Sequence, residues 1–299
     1  MTEFLAGFVP ILLVGLTLGS LFGLVGLAYT IIINATQLVN FAQGDFAMVG
    51  VFFAWSAMSY GAPLWLAIII AVIAGALIGF LTERMMVTPL MKRGDSAFGP
   101  ILGTMAVGMI AEGAVGYHTS FFWMPINYFL GLEPWKVGMI PIDTQGTITV
   151  LTTVVLVIGY WFVLNKTLPG LALRATGFNR TVTQLLGIQI TRMVSLAFIA
   201  SGVIAAVAGV LCAPLSAFTA LEGMPLAING FIALIIGGWG NPYAAVLGGI
   251  VVGLIRAFLT GYFSSAHAEI ATFVILILAL TLKPDGIFAQ LMVPKSEKA

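Results

Sequence analysis

The amides and acids of Asn34-Ala-Thr-Gln37-Leu-Val-Asn40-Phe-Ala-Gln43-Gly-Asp45 interrupt two long apolar runs. An amide both donates and accepts, so this spacing could line a polar path or satisfy an interrupted backbone. Both readings are open from the residues alone. Glu112 and Arg256 are isolated charges inside apolar segments. Ionisable groups in such segments are costly and are candidate ion or solute sites by default. Pairing of the two is possible, and Glu112 lies near enough to a segment end to reach water. A third group is cationic: Lys166, Arg174, Arg180 and Arg192, with no acid between Asp143 and Glu222.

Other chemistries lack their residues. No Gly-x4-Gly-Lys-Ser/Thr occurs, so the chain has no P-loop for ATP. His118 and His267 stand at segment ends without a His-Glu-x-x-His pattern, and Cys212 is the single cysteine, so neither a metal cluster nor a disulfide framework is expected. Ser20 lacks the Gly-x-Ser-x-Gly spacing of a nucleophile elbow. No catalytic residue is expected, and a net charge of +1 with scattered bases argues against nucleic acid.

The elements that position these groups are membrane spans. The chain has 299 residues, 60% hydrophobic and 8% charged, against about 25% charged in soluble domains. A spanning helix takes ~20 apolar residues. Apolar segments are expected at about 10–33, with Pro10 opening the first, then 46–60, 64–87, 97–117, 147–164, 193–215, 224–236, 243–262 and 270–282. This is an all-α polytopic bundle of about 8–9 transmembrane helices with broken or half-spanning segments. Glu83, Arg84, Lys92, Arg93 and Asp95 mark a polar loop, and 118–146, with Trp123 and Trp135, a loop on the membrane surface. Gly15, Gly19 and Gly23 form a ridge for close helix approach, as does the Gly249/Gly253 pair. The breaks at 40–45 and at Gly237-Gly-Trp-Gly-Asn-Pro242 hold similar positions in the two halves, which points to a transport site.

With the 166–192 loop inside and nine crossings, every Lys and Arg except Lys136 and Arg256 is inside, while Glu3, Glu133, Asp143, Glu222 and Glu269 lie outside. That satisfies the positive-inside rule, with the N-terminus outside and the C-terminus cytoplasmic. Eight crossings, with 224–236 as a half-helix, would move the C-terminus out. Within the basic loop, Pro169-Gly170 stops the preceding helix, Asn179 caps a short helix, and Gly187 ends it. Val182, Leu185 and Leu186 share one face of that helix, with Arg180, Thr181 and Gln184 on the other. A helix of two turns needs tertiary contact to persist. It could lie on the membrane or dock into a partner's groove.

Three stretches resemble the permeases of branched-chain amino-acid-type (Liv-type) ABC importers, over most of the chain. They are Gly15-Leu-Thr-Leu-Gly19-Ser20 with Val39-Asn-Phe-Ala-Gln-Gly-Asp45; Leu173-Arg174-Ala175 through Asn179 to Leu186-Gly187-Ile188; and Ile236-Gly-Gly-Trp-Gly-Asn-Pro242 through Gly248-Gly249 to Gly253. Gln43 stands where the family usually has His, Arg256 where an acid is common, and Thr183 where Ala is frequent, so the solute is less defined than the family. The resemblance implies one transmembrane permease domain over 1–299 in a bacterial plasma (inner) membrane. It moves a small polar solute, branched-chain or other amino acids first, with urea and amides among the family's range. Its implied partners are cytoplasmic ABC ATPase subunits, a second homologous permease, an extracytoplasmic solute-binding protein and membrane lipid. ATP is used by the partners, with no cofactor on this chain. Asn34, Asn40, Gln43, Asp45 and Glu112 are the expected solute pathway. Gly170, Arg174, Ala175, Asn179, Arg180, Val182, Leu185, Leu186 and Gly187 form the expected ATPase coupling loop. The rival expectation is an ion-coupled secondary transporter or channel working through Glu112 or Asp45.

Overall fold

The structure is a computed structural model that describes residues 2–93, 98–129, 131, 135–137, 140–283 and 286–288. Expectations for Asp95, Glu133, Lys295 and Lys298 fall outside these, as do the side chains of Glu3, Lys136 and Thr181. Among the described residues, eight helices are long and apolar enough to cross a membrane. The protein is a multi-pass membrane protein. The chain divides into two compact units, and helices at 2–36, 144–166 and 223–237 contribute residues to both.

Unit 1 comprises Met1–Thr30, Leu132–Thr153 and Asn229–Ala299. Helix α1 (Thr2–Thr36) starts well before Pro10, which lies inside it. Expecting Pro10 as the opening residue was wrong. Proline removes one intrahelical hydrogen bond, and a helix in hydrocarbon tolerates that loss better than an exposed unpaired segment. Both glycine ridges are packing devices, and they are partners. A Cβ on Gly19 would lie 2.6 Å from the Ile250 Cα, one on Gly15 2.9 Å from Leu254 Cα, and one on Gly23 3.1 Å from Val246 Cα. The reversed order of these pairs makes α1 antiparallel to α11 (Pro242–Tyr262). Such contact replaces side chains with backbone-to-backbone dispersion, which drives helix association where lipid removes the hydrophobic term.

Helix α10 (Gly223–Gly237) ends at the glycine-rich break. Its last carbonyls, Ile236 and Gly237, accept from the amides of Ile287 (2.8 Å) and Phe288 (3.1 Å), so two of the four orphan acceptors at a helix end are filled by the tail. Asn241 then caps α11, its Oδ1 accepting from the amides of Tyr243 and Ala244, both at 3.1 Å. Helix α12 (Ser265–Leu282) packs on α11. The 118–146 stretch holds a small antiparallel pair, β1 (Trp135–Val137) with β2 (Ile140–Ile142), which the turn residues alone did not disclose.

Unit 2 comprises Ile31–Gly131 and Val154–Ile228. Its core is α2 (Gln43–Ser59), α3 (Leu64–Thr82) and α9 (Ile190–Cys212), with α5 (Phe98–Thr119) against α2. The α3–α9 pair again meets through glycine, Gly75 facing Gly202 and Gly79 the Phe198 carbonyl. The polar loop expected from Glu83 begins ten residues later. After α3 the chain continues through a π-helical turn (Glu83–Val87) and α4 (Thr88–Lys92). Glu83 is fully buried, its carboxylate accepting from the Thr88 hydroxyl and, at 2.6 Å, from the Ser195 hydroxyl on α9. Burying a carboxylate is tolerable only with such donors. Its flanks of apolar residues, Leu81 and Met85-Met86-Val87, were the sequence sign that the helix continued.

Candidate functional site

The first polar break runs between α1 and α2. Helix α1 stops at Thr36, whose hydroxyl donates to the Ile32 carbonyl (2.7 Å), and Gln37 takes a left-handed φ of 60°. The Asn40 Oδ1 accepts from the Ala42 amide at 3.2 Å, and the Phe41 amide donates to the Thr104 hydroxyl on α5 at 3.2 Å. The Asn40 Nδ2 donates to the Gln43 Oε1 at 3.2 Å, and the same oxygen accepts from the Ser201 hydroxyl at 2.9 Å. Asn40 is 1% exposed and Gln43 fully buried. These two amides therefore brace the break and tie α2 to α9. Ser201 and Thr104 are the partners sequence reasoning missed, because they stand in ordinary small-residue positions 158 and 63 residues away.

The other expected pathway residues fall in two places within unit 2. Asp45, half-buried in the first turn of α2, faces Gly108 on α5, and Glu112 lies one turn further along α5 close enough to act on it electrostatically. Asn34 instead lines a cavity of about 230 Å³ with Tyr160 and Leu164 of α6 (Thr144–Lys166), and with Leu173, Arg174 and Gly177. The five thus do not converge on one point.

The basic stretch forms two helices. Besides the expected α8 (Arg180–Leu185), there is α7 (Leu168–Phe178). Pro169-Gly170 ends α6 and also begins α7, because proline suits the first turn of a helix and the Thr167 hydroxyl caps it, accepting from the Gly170 amide at 3.3 Å. Gly170 is buried where a side chain would meet the Val163 carbonyl. The Ala175 carbonyl accepts from the Asn179 amide at 3.0 Å, and the Asn179 Oδ1 accepts from the Val182 amide at 3.1 Å, so one residue closes α7 and caps α8. Gly187 ends α8 with φ +81°, its amide donating to the Gln184 carbonyl at 2.9 Å.

Arg174 and Arg180 tie this segment down. The Arg174 Nη1 donates to the Asn165 Oδ1 at 2.7 Å. The Arg180 Nη2 donates to the Ala35 carbonyl at 2.5 Å, at the C-terminal end of α1, where acceptors are otherwise unfilled and cations are favoured. Burial lowers the Arg180 pKa from the usual guanidinium value, and the group stays charged at any physiological pH. Beside the exposed Asn179 and Gln184, several large apolar side chains are open. Leu168 and Leu185 are each 83% exposed and Leu186 71%, with Val182 and Leu171 about half.

In unit 1, Arg256 of α11 donates from Nη1 to the Asn229 Oδ1 on α10 at 2.9 Å, and its guanidinium lies over the Phe22 ring at 5.8 Å. Its partners are thus neutral groups of its own unit. A charge within a spanning helix is costly, up to roughly 2.5–3.5 kcal/mol for an arginine at its centre on insertion scales.

The family model described as branched-chain amino acid transport system / permease component matches residues 11–282. The probable branched-chain amino acid transport permease protein LivH of Methanocaldococcus jannaschii is 29% identical over 279 residues, 88% of this chain and 87% of that protein. The high-affinity branched-chain amino acid transport system permease protein BraD of Pseudomonas aeruginosa is 28% identical over 95% of each chain. A chain of PsaBC from Streptococcus pneumoniae, solved in complex with Fab, superposes with a TM-score of 0.52 over 98% of this chain and 99% of its own, at 12% identity. At that identity the likeness speaks for the fold.

Proposed function

The chain belongs to this family of branched-chain amino acid transport permease components, and on that premise we propose that it forms the membrane pathway of an ATP-driven importer of branched-chain or closely related amino acids. It is a transport component rather than an enzyme. The observation that carries the ATP-driven reading is the α7–α8 segment. It presents an exposed apolar face while Arg180 fastens it to the last turn of α1, directly before the braced break into α2. Cytoplasmic ABC ATPase subunits seat on that face and hydrolyse the ATP, which this chain does not bind. Their movement then shifts the end of α1 and the Asn40–Gln43–Ser201 brace together. An extracytoplasmic binding protein delivers the solute, and a second homologous permease completes the pore.

The test is uptake of L-leucine by vesicles holding the permease, its second permease, the ATPases and the binding protein. Uptake should require ATP inside the ATPase-facing compartment and survive collapse of ion gradients. Uptake that continues without ATP and follows an ion gradient would overturn this reading.

The protein lies in the plasma membrane with its N-terminus outside and the 166–192 segment and C-terminus cytoplasmic. That arrangement needs an odd number of crossings, so α2 is the ninth. Its 17 residues span about 25 Å at 1.5 Å per residue, against a hydrocarbon core of ~30 Å. In a Cys212→Ala background, Tyr60→Cys should react with an impermeant maleimide added outside intact cells, and Leu185→Cys only after lysis. Gln37→Cys, exposed at the break before α2, should likewise react only after lysis, and labelling of Gln37→Cys and Tyr60→Cys from the same side would show that α2 does not cross.

A further inference from the structure

We propose that Arg256 is a binding residue for the carboxylate of the transported solute, an inference that rests on the importer reading. Arg256 is half-buried in α11, and its contacts are the Asn229 amide oxygen and the Phe22 ring. Both of those residues are nearly inaccessible, at 6% and 5% exposure. No acid pairs with Arg256 among the described residues. A guanidinium offers five N–H donors in a planar fork, and one hydrogen bond to a neutral amide leaves most of that fork unfilled. A half-buried cation held by neutral groups is poised for an anion, and the planar, two-oxygen carboxylate is the shape the fork pairs with bidentately.

Geometry argues against a lipid phosphate as that anion. Arg256 stands six residues before the end of α11 at Tyr262, about 9 Å below that end. Side chains on a helix lean toward its N-terminus, which carries the guanidinium away from Tyr262 and the nearer head-group layer. Phe22, under it, lies 14 residues from the end of α1 at Thr36, about 21 Å from it along the axis. An amino-acid solute brings its carboxylate to this depth, and a lipid head group does not. Asn229 then acts as the positioning residue, holding the guanidinium by one arm so that the others face the solute.

Two measurements test this. In the first, the purified permease in nanodiscs of zwitterionic lipid is melted with L-leucine or with L-leucinamide at equal millimolar concentration. L-leucine should raise the Tm more than the amide, and Arg256→Gln should abolish the difference while Arg256→Lys keeps part of it. In the second, the complete transporter carrying Arg256→Gln should lose at least tenfold in L-leucine uptake while binding-protein-stimulated ATP hydrolysis persists. No preference for L-leucine over its amide in the unaltered protein overturns the proposal. So does uptake by Arg256→Gln at the unaltered rate, or an equal loss of acid and amide, which assigns Arg256 to packing or to an acid of the second permease. An anionic lipid that stabilises the protein through Arg256 and makes it indifferent to L-leucine also overturns it, in favour of a lipid site. If uptake proves independent of ATP, the importer reading falls, and the melting comparison still decides the role of Arg256.

Discussion

Gly202→Leu is expected to leave little folded protein. Helices α3 and α9 pack extensively in unit 2, and they approach so closely at Gly75 and Gly202 that a Cβ on either would fall on the other's carbonyl. The neighbouring Gly79 meets the Phe198 carbonyl in the same way. A leucine there must push two backbones apart, with no flexible side chain to give way. Overpacking a tight site costs typically ~1–3 kcal/mol and sometimes more. The cost here is at the upper end or beyond, because separation also strains the Glu83–Ser195 bond, which ties the π-helical turn after α3 to α9. The measurement is the monodisperse yield and Tm of detergent-extracted protein. Gly159→Leu is the control, since nothing lies within 4 Å of a Cβ at that position. Equal Tm values for the Gly202 and Gly159 variants would refute this account of the core.

Gly187→Pro is expected to give a protein that inserts and folds but takes up almost nothing, a loss of more than tenfold in L-leucine uptake and in binding-protein-stimulated ATPase activity. Gly187 has φ +81° and donates its amide to the Gln184 carbonyl at 2.9 Å. Proline fixes φ near −65° and has no N–H, so both features are lost. The change falls just past α8, a helix of six residues that ends at the exposed Leu185 and is followed by the exposed Leu186, and the spanning helices are left alone. Its stop would unwind, and the apolar face would lose its shape. Gly187→Asn should retain most activity, because asparagine tolerates the left-handed region. Normal stimulated ATPase activity in the proline variant would remove α8 from the coupling path. A fall in Tm as large as that of Gly202→Leu would assign Gly187 to the fold instead.

The two predictions sit on opposite sides of what could be read without coordinates. The α8 helix was legible because its signals are local. Asn179 supplies a cap three residues from its target amide, and Gly187 supplies a left-handed stop. The neighbouring α7 was missed for a local reason as well. Pro169-Gly170 reads as a terminator, and only the Thr167 cap and the buried packing of Gly170 turn the same dipeptide into a start. Likewise Glu83 reads as a loop residue until Ser195, 112 positions away, supplies a donor.

Composition and period by themselves determined that this chain spans a membrane many times, where most of its helices run, and that its glycine ridges are for packing. Those properties follow from transfer free energy and from helix geometry, which act over a few turns. Only the tertiary structure decided that Gly15, Gly19 and Gly23 meet the Val246–Leu254 face of α11. Only it decided that Asn40 and Gln43 brace a break with Ser201, and that Arg180 closes the end of α1. Each of these depends on which polar or backbone group arrives opposite another from a distant part of the chain. A hydrogen bond or a close backbone contact is satisfied within a few tenths of an ångström, a tolerance that no residue pattern carries.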